Sequence, residues 1–372
     1  MCEPNFKILK RYNTTTAYDI FYDKGTYYGG LFIDAVRRAD ADGNIELAKR
    51  YWQQNILIDK QRRNINPDDV DTMIDYLRQW LSNAANICFD NGTDVAGSLP
   101  CIKDAVSDQQ LSEIFEHEIK QQVFGMYTPS DAPVSIFLGA QPAAGKTLGQ
   151  LRVQRMHAAG TIVPIIGDDY RKFHPDYARM MAESSLDMPN LTAYAAGQWT
   201  GMCVKYADDN GYSDIIEGTW RNSDTVINEA VTASSHGRRC HAVIVAVPPA
   251  LSRIGFLSRY YAAFEMDGNA RWTPPTAHEK TIVNLENTMR EIAASGLFES
   301  YSAIKRDGNV LYDGDDAGEW IEQWKHEFLR ELTDDEHDAL EDEISEIISV
   351  CTEHTPEMMD DVIAICNAAR NR

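Results

Sequence analysis

A short stretch that ends in Gly145-Lys146-Thr147 has the residue types and the spacing of a phosphate-binding loop. It follows an apolar, β-prone run at 134–138. In such a P-loop, the backbone N–H groups of a tight turn surround a phosphate, the lysine reaches the β and γ phosphates, and the threonine hydroxyl binds Mg²⁺. The predicted nucleotide-binding residues are Gly139, Ala140, Gln141, Pro142, Ala143, Ala144, Gly145, Lys146, Thr147 and Leu148. The usual G-x-x-x-x-G-K-[ST] pattern has glycine where Ala140 stands, and here Gly139 comes one residue early.

Polar side chains are expected where further strands end. The apolar run 161–166 predicts a strand that ends just before Asp168 and Asp169. Ligands of parallel α/β sheets bind at the carboxyl ends of the strands. A carboxylate there can accept the proton of an acceptor hydroxyl or help to hold Mg²⁺, and we assign that role to Asp168. Asp169 is expected to cap the next helix or to support Asp168.

The strand predicted at 213–217 ends in a second polar cluster. If the chain stays extended, alternation places Glu217, Thr219 and Arg221 on one side of it. Three converging hydrogen-bonding side chains suit a polar, hydroxyl-rich or phosphate-bearing substrate. We therefore predict that these three residues bind the substrate.

Arginines follow the strand predicted at 241–247. A helix at about 249–265 carries Arg253 and Arg259, and the next loop carries Arg271. Guanidinium groups placed in this way suit a lid over nucleotide phosphates, because they spread over phosphate oxygens and stabilise transition-state charge. The predicted catalytic residues are Lys146, Asp168, Arg259 and Arg271.

The elements that position these residues alternate strand and helix from 134 onward. This alternation predicts an α/β fold with a mostly parallel sheet and helices on both faces. Apolar periodicity predicts N-terminal helices at 44–64 and 67–85 and a helix from Ser107 to about 124. An aromatic, glycine-containing stretch at 21–30 suggests a short hairpin, and 89–105 reads as a loop. Two amphipathic helices are predicted at the C-terminus, opened by Thr333 and by Thr355.

Composition excludes several functional classes. The chain of 372 residues has a net charge of −22, which argues against a nucleic-acid partner. It has no apolar run of membrane-spanning length, so no membrane partner is expected. Its seven cysteines are scattered and form no C-x-x-C pair, which predicts reduced thiols in the cytoplasm and no metal site made by cysteine. Thirteen acidic and two basic residues occupy 331–372, either as a solvated face or as a docking surface for a basic partner.

The chain resembles the zeta-toxin family in five motifs that occur in the family's order. They are the loop 139–147, Gly167-Asp-Asp-Tyr-Arg-Lys-Phe-His-Pro175, Glu217-Gly-Thr-Trp-Arg221, the pair Arg259-Tyr260, and Arg271. These are P-loop kinases of bacterial toxin–antitoxin systems. The resemblance implies a P-loop kinase core, ATP or GTP with Mg²⁺, and phosphorylation of UDP-N-acetylglucosamine at its 3′-hydroxyl. It aligns Asp168 with the catalytic base, Glu217, Thr219 and Arg221 with substrate contacts, and Arg259 and Arg271 with arginines on the phosphates.

The family loop usually has glycine at the positions of Ala140 and Ala143. Either alanine restricts close approach to phosphate if its position requires positive φ. The predicted domains are a mainly helical region at 1–105, a kinase domain at 106–330 and an acidic helical segment at 331–372. Because the family's antitoxin is a small helical bundle, 1–105 is either a structural extension or an inhibitor fused in cis.

Two other functions stay open. One is an effector kinase, delivered into a host or target cell, that phosphorylates another small molecule such as NAD. The other is a nucleotide-binding interaction protein with little catalysis, which the alanines in the loop and the acidic C-terminal helices suggest.

Overall fold

The computed structural model describes residues 4–90, 106–155, 157–158 and 160–371, with the backbone alone at 88–90. The chain divides into two compact units, which we describe separately. Unit 1 comprises the described residues of Met1–Gln122, Gly167–Gly201 and Ala262–Trp272. Unit 2 comprises those of Val123–Ile166, Met202–Tyr261 and Thr273–Arg372. The predicted limits at 105/106 and 330/331 stay predictions.

Helices dominate the described residues. In chain order the α-helices are α1 (Thr14–Ala41), α2 (Ile45–Asn64), α3 (Val70–Asp90), α4 (Asp108–Ile114), α5 (Lys120–Phe124), α6 (Lys146–Arg155), α7 (Gly167–Tyr170), α8 (Tyr177–Glu183), α9 (Met188–Leu191), α10 (Ala193–Asn210), α11 (Ser223–Ser235), α12 (Pro249–Asp267), α13 (Pro275–Ala294), α14 (Ala317–Leu329), α15 (Asp334–His354) and α16 (Met359–Arg370). Short 3₁₀ turns lie at Phe6–Arg11, Arg171–Phe173 and Pro356–Met358, and a π turn at Phe115–Ile119 links α4 to α5. Within the described ranges, no helix is long and apolar enough to cross a membrane.

A single six-stranded sheet organises unit 2. Its strands are β1 (Val134–Gly139), β2 (Ile162–Ile166), β3 (Ser213–Gly218), β4 (Arg239–Ala246), β5 (Phe298–Lys305) and β6 (Val310–Gly314). Their order is β2-β3-β1-β4-β5-β6, and all neighbours are parallel except β5 and β6. Apolar strand residues such as Ile136, Ile215 and Val243 form the core with Val153 of α6. The predicted α/β class is confirmed.

The hairpin expected at 21–30 is wrong, because this stretch lies inside α1. Asn13 caps the helix by accepting a hydrogen bond from the N–H of Thr16 (3.0 Å). The glycines of this stretch are close-packing positions in unit 1. A Cβ at Gly29 would lie 2.9 Å from the amide oxygen of Asn55, and one at Gly30 would lie 2.5 Å from the ring of Tyr177. Tertiary packing therefore overrides the low helix propensity of glycine.

The second N-terminal helix begins later than predicted. Pro67 lies in a turn, and Asp69 precedes α3 and accepts from the N–H of Thr72 (3.1 Å). The helix predicted from Ser107 is present with its capping box to Gln110, although the π turn interrupts it. The loop predicted at 89–105 lies outside the described residues, apart from 89–90 at the end of α3.

The acidic C-terminal helices belong to unit 2 and pack within it through their apolar faces. Residues such as Leu340 and Ile344 of α15 and Val362 of α16 are buried. Glu341 of α15 pairs with Arg370 of α16 (2.7 Å), and both side chains are exposed. The acidic residues of this segment thus mainly form a solvated face.

Candidate active site

The predicted P-loop lies where the strand order of unit 2 reverses. The chain leaves β1 at Gly139, which pairs with Gly218 of β3 on one side and with Ile244 of β4 on the other. Since ligands of open α/β sheets bind at the carboxyl ends of strands at such a reversal, this is the expected ligand site of the sheet. The loop then enters α6 at Lys146, so the positive end of the helix dipole faces the loop.

The loop is held from inside by Gln141, whose side chain is fully buried. Its amide nitrogen donates to the carbonyl of Val247 (3.1 Å) and to Oγ of Ser252 (3.3 Å). Lys146 Nζ donates to the carbonyls of Ala140 (3.2 Å) and Gln141 (3.0 Å). The lysine thus folds over the loop, where a phosphate would compete for its charge.

The two loop alanines differ in conformation. Ala143 has φ of 57°, and the adjacent Gly145 has φ of 92°. In the described parts of the chain, Ala143 and Trp220 are the non-glycine residues with positive φ. Left-handed backbone costs a non-glycine residue about 1–2 kcal/mol. Ala143 therefore strains the loop, whereas Ala140 is an ordinary core position.

Behind the loop lies a chain of polar side chains that the sequence did not reveal, buried at Ser252 and His278 and exposed at Glu279. Ser252 Oγ is 2.9 Å from Nε2 of His278, and His278 Nδ1 is 3.1 Å from the carboxylate of Glu279. Arg253 donates two hydrogen bonds to Glu279 (2.8 and 2.9 Å). Burial lowers the pKa of His278 to about 4, and the hydrogen bonds from Arg253 lower the pKa of Glu279 to about 2. The expected phosphate-facing Arg253 is instead largely buried in this ion pair.

Arg259, one turn and a half further along α12, is also largely buried. Its Nη2 donates to Oγ1 of Thr273 (2.8 Å), which ties the helix to the chain two residues before α13. Its predicted role on the nucleotide phosphates stays a prediction.

The predicted substrate cluster forms only in part. β3 ends at Gly218, and the positive φ of Trp220 (53°) turns the chain, so the extended path expected to Arg221 is wrong. The ring of Trp220 packs so closely on Gly139 that a Cβ there would lie 2.1 Å from it. Beyond the turn, Nε of Arg221 donates to Oγ1 of Thr219 (3.0 Å), so these two side chains do meet. Glu217 lies half-buried in β3, in register with Leu138 of β1.

Unit 1 brings together two of the predicted catalytic residues, Asp168 and Arg271. Nη1 of Arg271 contacts Oδ2 of Asp168, and Nη2 lies 3.3 Å from the carboxylate of Asp23 in α1. Nε of Arg171 donates to Oδ1 of Asp168 (2.8 Å) and its Nη1 donates to Thr192 (2.7 Å). The side chain of Asp168 remains 45% exposed. Unit 1 thus presents an accessible carboxylate between two guanidinium groups.

These guanidinium groups set the charge of Asp168. Partial burial alone would raise its pKa, but Arg271 and Arg171 outweigh that effect and hold the pKa well below the ordinary value of 3.8. Asp168 is therefore ionised at neutral pH. Any anion that draws one of these guanidinium groups away raises the pKa of Asp168 and makes it a stronger base.

The sheet order and the loop at its centre define an α/β protein with a nucleotide-binding P-loop. The family model described as Zeta toxin matches residues 117–317, more than half of the chain, and the chain belongs to the zeta toxin family.

Two relatives are similar to this chain in sequence, and one solved structure is similar in fold. Toxin PezT of Streptococcus pneumoniae serotype 4 (strain ATCC BAA-334 / TIGR4) is 31% identical over 185 residues, which cover 50% of this chain and 73% of that toxin. Toxin zeta of Streptococcus pyogenes is 26% identical over 207 residues, which cover 55% and 71%. A chain from the PezAT chromosomal toxin–antitoxin system of Streptococcus pneumoniae matches the fold with a TM-score of 0.58 at 24% identity, over 66% of this chain and 99% of that one.

Proposed function

We propose that the protein is a kinase toxin that transfers the γ-phosphate of ATP or GTP to a hydroxyl of a nucleotide sugar. The acceptor implied by the zeta-toxin resemblance is UDP-N-acetylglucosamine, at its 3′-hydroxyl. The observation that carries the proposal is the P-loop at the strand reversal of a parallel sheet, with Lys146 at its helix N-terminus. That arrangement binds phosphates, and family membership supports the transfer of one.

In this reaction the oxygen of the acceptor hydroxyl bonds to the γ-phosphorus while the bond to the β–γ bridging oxygen breaks. The nucleoside diphosphate leaves and the hydroxyl proton passes to Asp168. Lys146 and the loop N–H groups bind the phosphates of the donor. Arg259 and Arg271 stabilise the charge that develops on the transferred group, and Glu217, Thr219 and Arg221 bind the acceptor. In the sequence, Asp168 comes two residues after the end of β2.

Mg²⁺ fits the residues present. Thr147 is half-buried at the start of α6 and offers a hydroxyl oxygen. The part of the chain that the structure describes has no group of three or more His, Cys, Asp or Glu side chains suited to a metal. A nucleotide-borne Mg²⁺ takes most of its ligands from phosphates and water, so one protein hydroxyl suffices. When bound, the ion neutralises charge on the phosphates.

The test is incubation of the full-length protein with ATP, Mg²⁺ and a panel of acceptors that includes UDP-N-acetylglucosamine and NAD, with products identified by mass spectrometry. We expect a phosphorylated nucleotide sugar. The variants Lys146→Ala and Asp168→Asn should lower turnover by orders of magnitude, because both groups act on charge that changes in the transition state. If NAD alone yields a phosphorylated product, the acceptor is NAD and not a nucleotide sugar. No product from any acceptor, or full activity of Lys146→Ala, would reject the proposal.

A toxic role is tested in cells. One relative belongs to a toxin–antitoxin system, and we infer a protein antitoxin as a partner of this chain as well. Expression of the wild-type chain in a bacterium should arrest growth, whereas the Lys146→Ala variant should not. Equal toxicity of the Asp168→Asn variant would favour an interaction protein with little catalysis.

A further inference from the structure

The segment that carries Asp168 is attached to the N-terminal helices through a buried charge. Arg62 of α2 is 0% exposed, and the neighbouring Asp169 is 5% exposed. Two nitrogens of Arg62 donate to the two carboxylate oxygens of Asp169 (3.2 and 2.9 Å). The guanidinium also stacks on the ring of Tyr22 in α1 (4.1 Å from Cζ to the ring centroid) and pairs with Asp59 in α2 (2.6 Å).

Asp169 receives further hydrogen bonds from the same two helices. The hydroxyl of Tyr22 donates to Oδ2 (3.0 Å) and that of Thr26 to Oδ1 (3.2 Å), both from α1. Arg63 at the end of α2 lies 3.3 Å from Oδ2. Asp169 is therefore neither a helix cap nor a surface group. Its carboxylate is enclosed by donors from α1 and α2.

The residues that follow are attached to these helices as well. Arg37 of α1 donates to the carbonyl of Phe173 (2.8 Å). Lys172 is almost fully buried and lies 3.3 Å from Asp59. Burial lowers the pKa of Lys172 to about 8, against the opposing effect of Asp59. The contacts from α1 and α2 thus extend from Asp169 to Phe173.

We infer that α1 and α2 position the acceptor base, with Asp169, Arg62 and Tyr22 as positioning residues that act through the backbone of Asp168. This inference rests on the proposed function, in which Asp168 takes the acceptor proton. The helix α7 that contains both aspartates has four residues, too few to be stable by itself. Its geometry depends on the groups that enclose Asp169. A displacement of about 1 Å at a reacting group is enough to lower turnover 10²-fold.

The same contacts argue against a detachable inhibitor at this end of the chain. Release of α1 and α2 would leave Asp169 and Lys172 without the charged groups that now enclose them, and would expose the ring of Tyr22. Release would therefore lose several charge-assisted hydrogen bonds at once and expose apolar surface to water, both of which are unfavourable. The N-terminal helices therefore form an integral part of unit 1.

The variant Tyr22→Phe tests the inference, because it removes the hydroxyl bound to Asp169 and keeps the ring that stacks on Arg62. The matched control is Tyr18→Phe. Tyr18 lies one turn earlier in α1, is equally buried, and donates its hydroxyl to the backbone carbonyl of Arg62 (2.9 Å), not to Asp169. Thr26→Val is a second variant directed at Asp169. Thermal melts confirm that each variant folds.

Two readouts are needed. Hydrogen–deuterium exchange of the amides of 167–173 should become about 5-fold faster in Tyr22→Phe and stay unchanged in Tyr18→Phe, since one lost hydrogen bond corresponds to about that factor. In the kinase assay, kcat should fall about 5-fold or more in Tyr22→Phe, while KM for the nucleotide stays the same.

Unchanged exchange at 167–173 in both Tyr22→Phe and Thr26→Val would overturn the inference. So would faster exchange with an unchanged kcat, because the contacts would then hold the segment without serving the reaction. If the wild-type chain phosphorylates no acceptor, the proposed function fails and so does the catalytic part of the inference. The exchange experiment would still decide whether α1 and α2 hold the segment.

Discussion

Ser252 and His278 form a hydrogen bond of 2.9 Å between Oγ and Nε2, and both side chains are fully buried. The same Oγ accepts from the amide of Gln141 in the P-loop (3.3 Å). A side chain from α12, itself bonded to one from α13, thus fixes Gln141, one of the two loop residues whose backbone carbonyls accept from Lys146. The shape of the loop therefore depends on residues outside the P-loop motif.

The first prediction concerns Ser252→Ala. Loss of one hydrogen bond to Gln141 loosens the loop, and we expect the Kd for ATP to rise about 5-fold, or about 1 kcal/mol. The matched control is Ser258→Ala, which removes another buried hydroxyl of α12, one that donates to Glu343. Isothermal titration calorimetry measures both. Equal affinities for the two variants would contradict the role of Ser252.

The second prediction concerns pH. His278 is held neutral, with a folded pKa of about 4 against an ordinary value of 6.5. Between these values the unfolded chain binds a proton that the folded chain does not, so stability is lost as pH falls through this window. The contribution is complete above pH 6.5, and about 2 kcal/mol should be lost by pH 5. Glu279, Arg253 and Lys146 are the charged groups that act on this titration.

Denaturant unfolding at pH 7.5 and pH 5 measures the effect. The variant His278→Gln has no titrating group at this position, so its stability should decrease less over the same interval. The quantity to compare is the change in the free energy of unfolding between the two pH values, because the substitution itself changes stability at both. An identical decrease in wild type and variant would show that His278 does not contribute.

The third prediction separates the two loop alanines. In Ala143→Gly the left-handed strain disappears, and the gain is partly offset by the greater freedom of glycine in the unfolded chain. We expect up to about 1 kcal/mol of added stability and tighter nucleotide binding. Ala140→Gly removes a buried methyl group from the core and should destabilise by about 1–2 kcal/mol. Urea unfolding measures whether the free energy of unfolding rises in Ala143→Gly and falls in Ala140→Gly.

The fourth prediction concerns Asp23, which reaches Arg271 from α1. If α1 is an integral part of unit 1, Asp23→Asn loosens Arg271 and should lower kcat about 2- to 5-fold, as expected for one partly buried ion pair. If α1 were inhibitory, the same change would raise kcat. Asp34→Asn is the control, since Asp34 lies on the same helix and pairs with the exposed Arg38 (3.1 Å). Steady-state kinetics of the two variants shows whether kcat falls or rises.

Some features were predictable because their signals are local. The strand β1 and the loop after it follow from an apolar run and a glycine-lysine-threonine ending. The capping boxes at Ser107 and Thr333 each lie within four residues of sequence. Strand–helix alternation then gives the parallel sheet, since parallel neighbours require helical crossovers.

Other features depend on contacts between distant residues. The stretch 21–30 has glycines that suggest turns, yet partners such as Tyr177 determine that they are helical close contacts. Asp169 looks like a helix cap in the sequence, and its true partner Arg62 is 107 residues away. The turn after β3 depends on the positive φ of Trp220, which no local signal announces for a bulky residue.

The three separated chain segments of unit 1 have a consequence for protein synthesis. Arg62 leaves the ribosome 107 residues before Asp169, and Arg271 comes later still. At about 5–20 residues per second, α1 and α2 wait roughly 5–20 s for the carboxylate that their buried face encloses. A nascent chain that ends between residues 148 and 271 therefore contains the P-loop but cannot complete unit 1. On the proposed function, the cell that makes this toxin is exposed to its activity only after most of the chain has been synthesised.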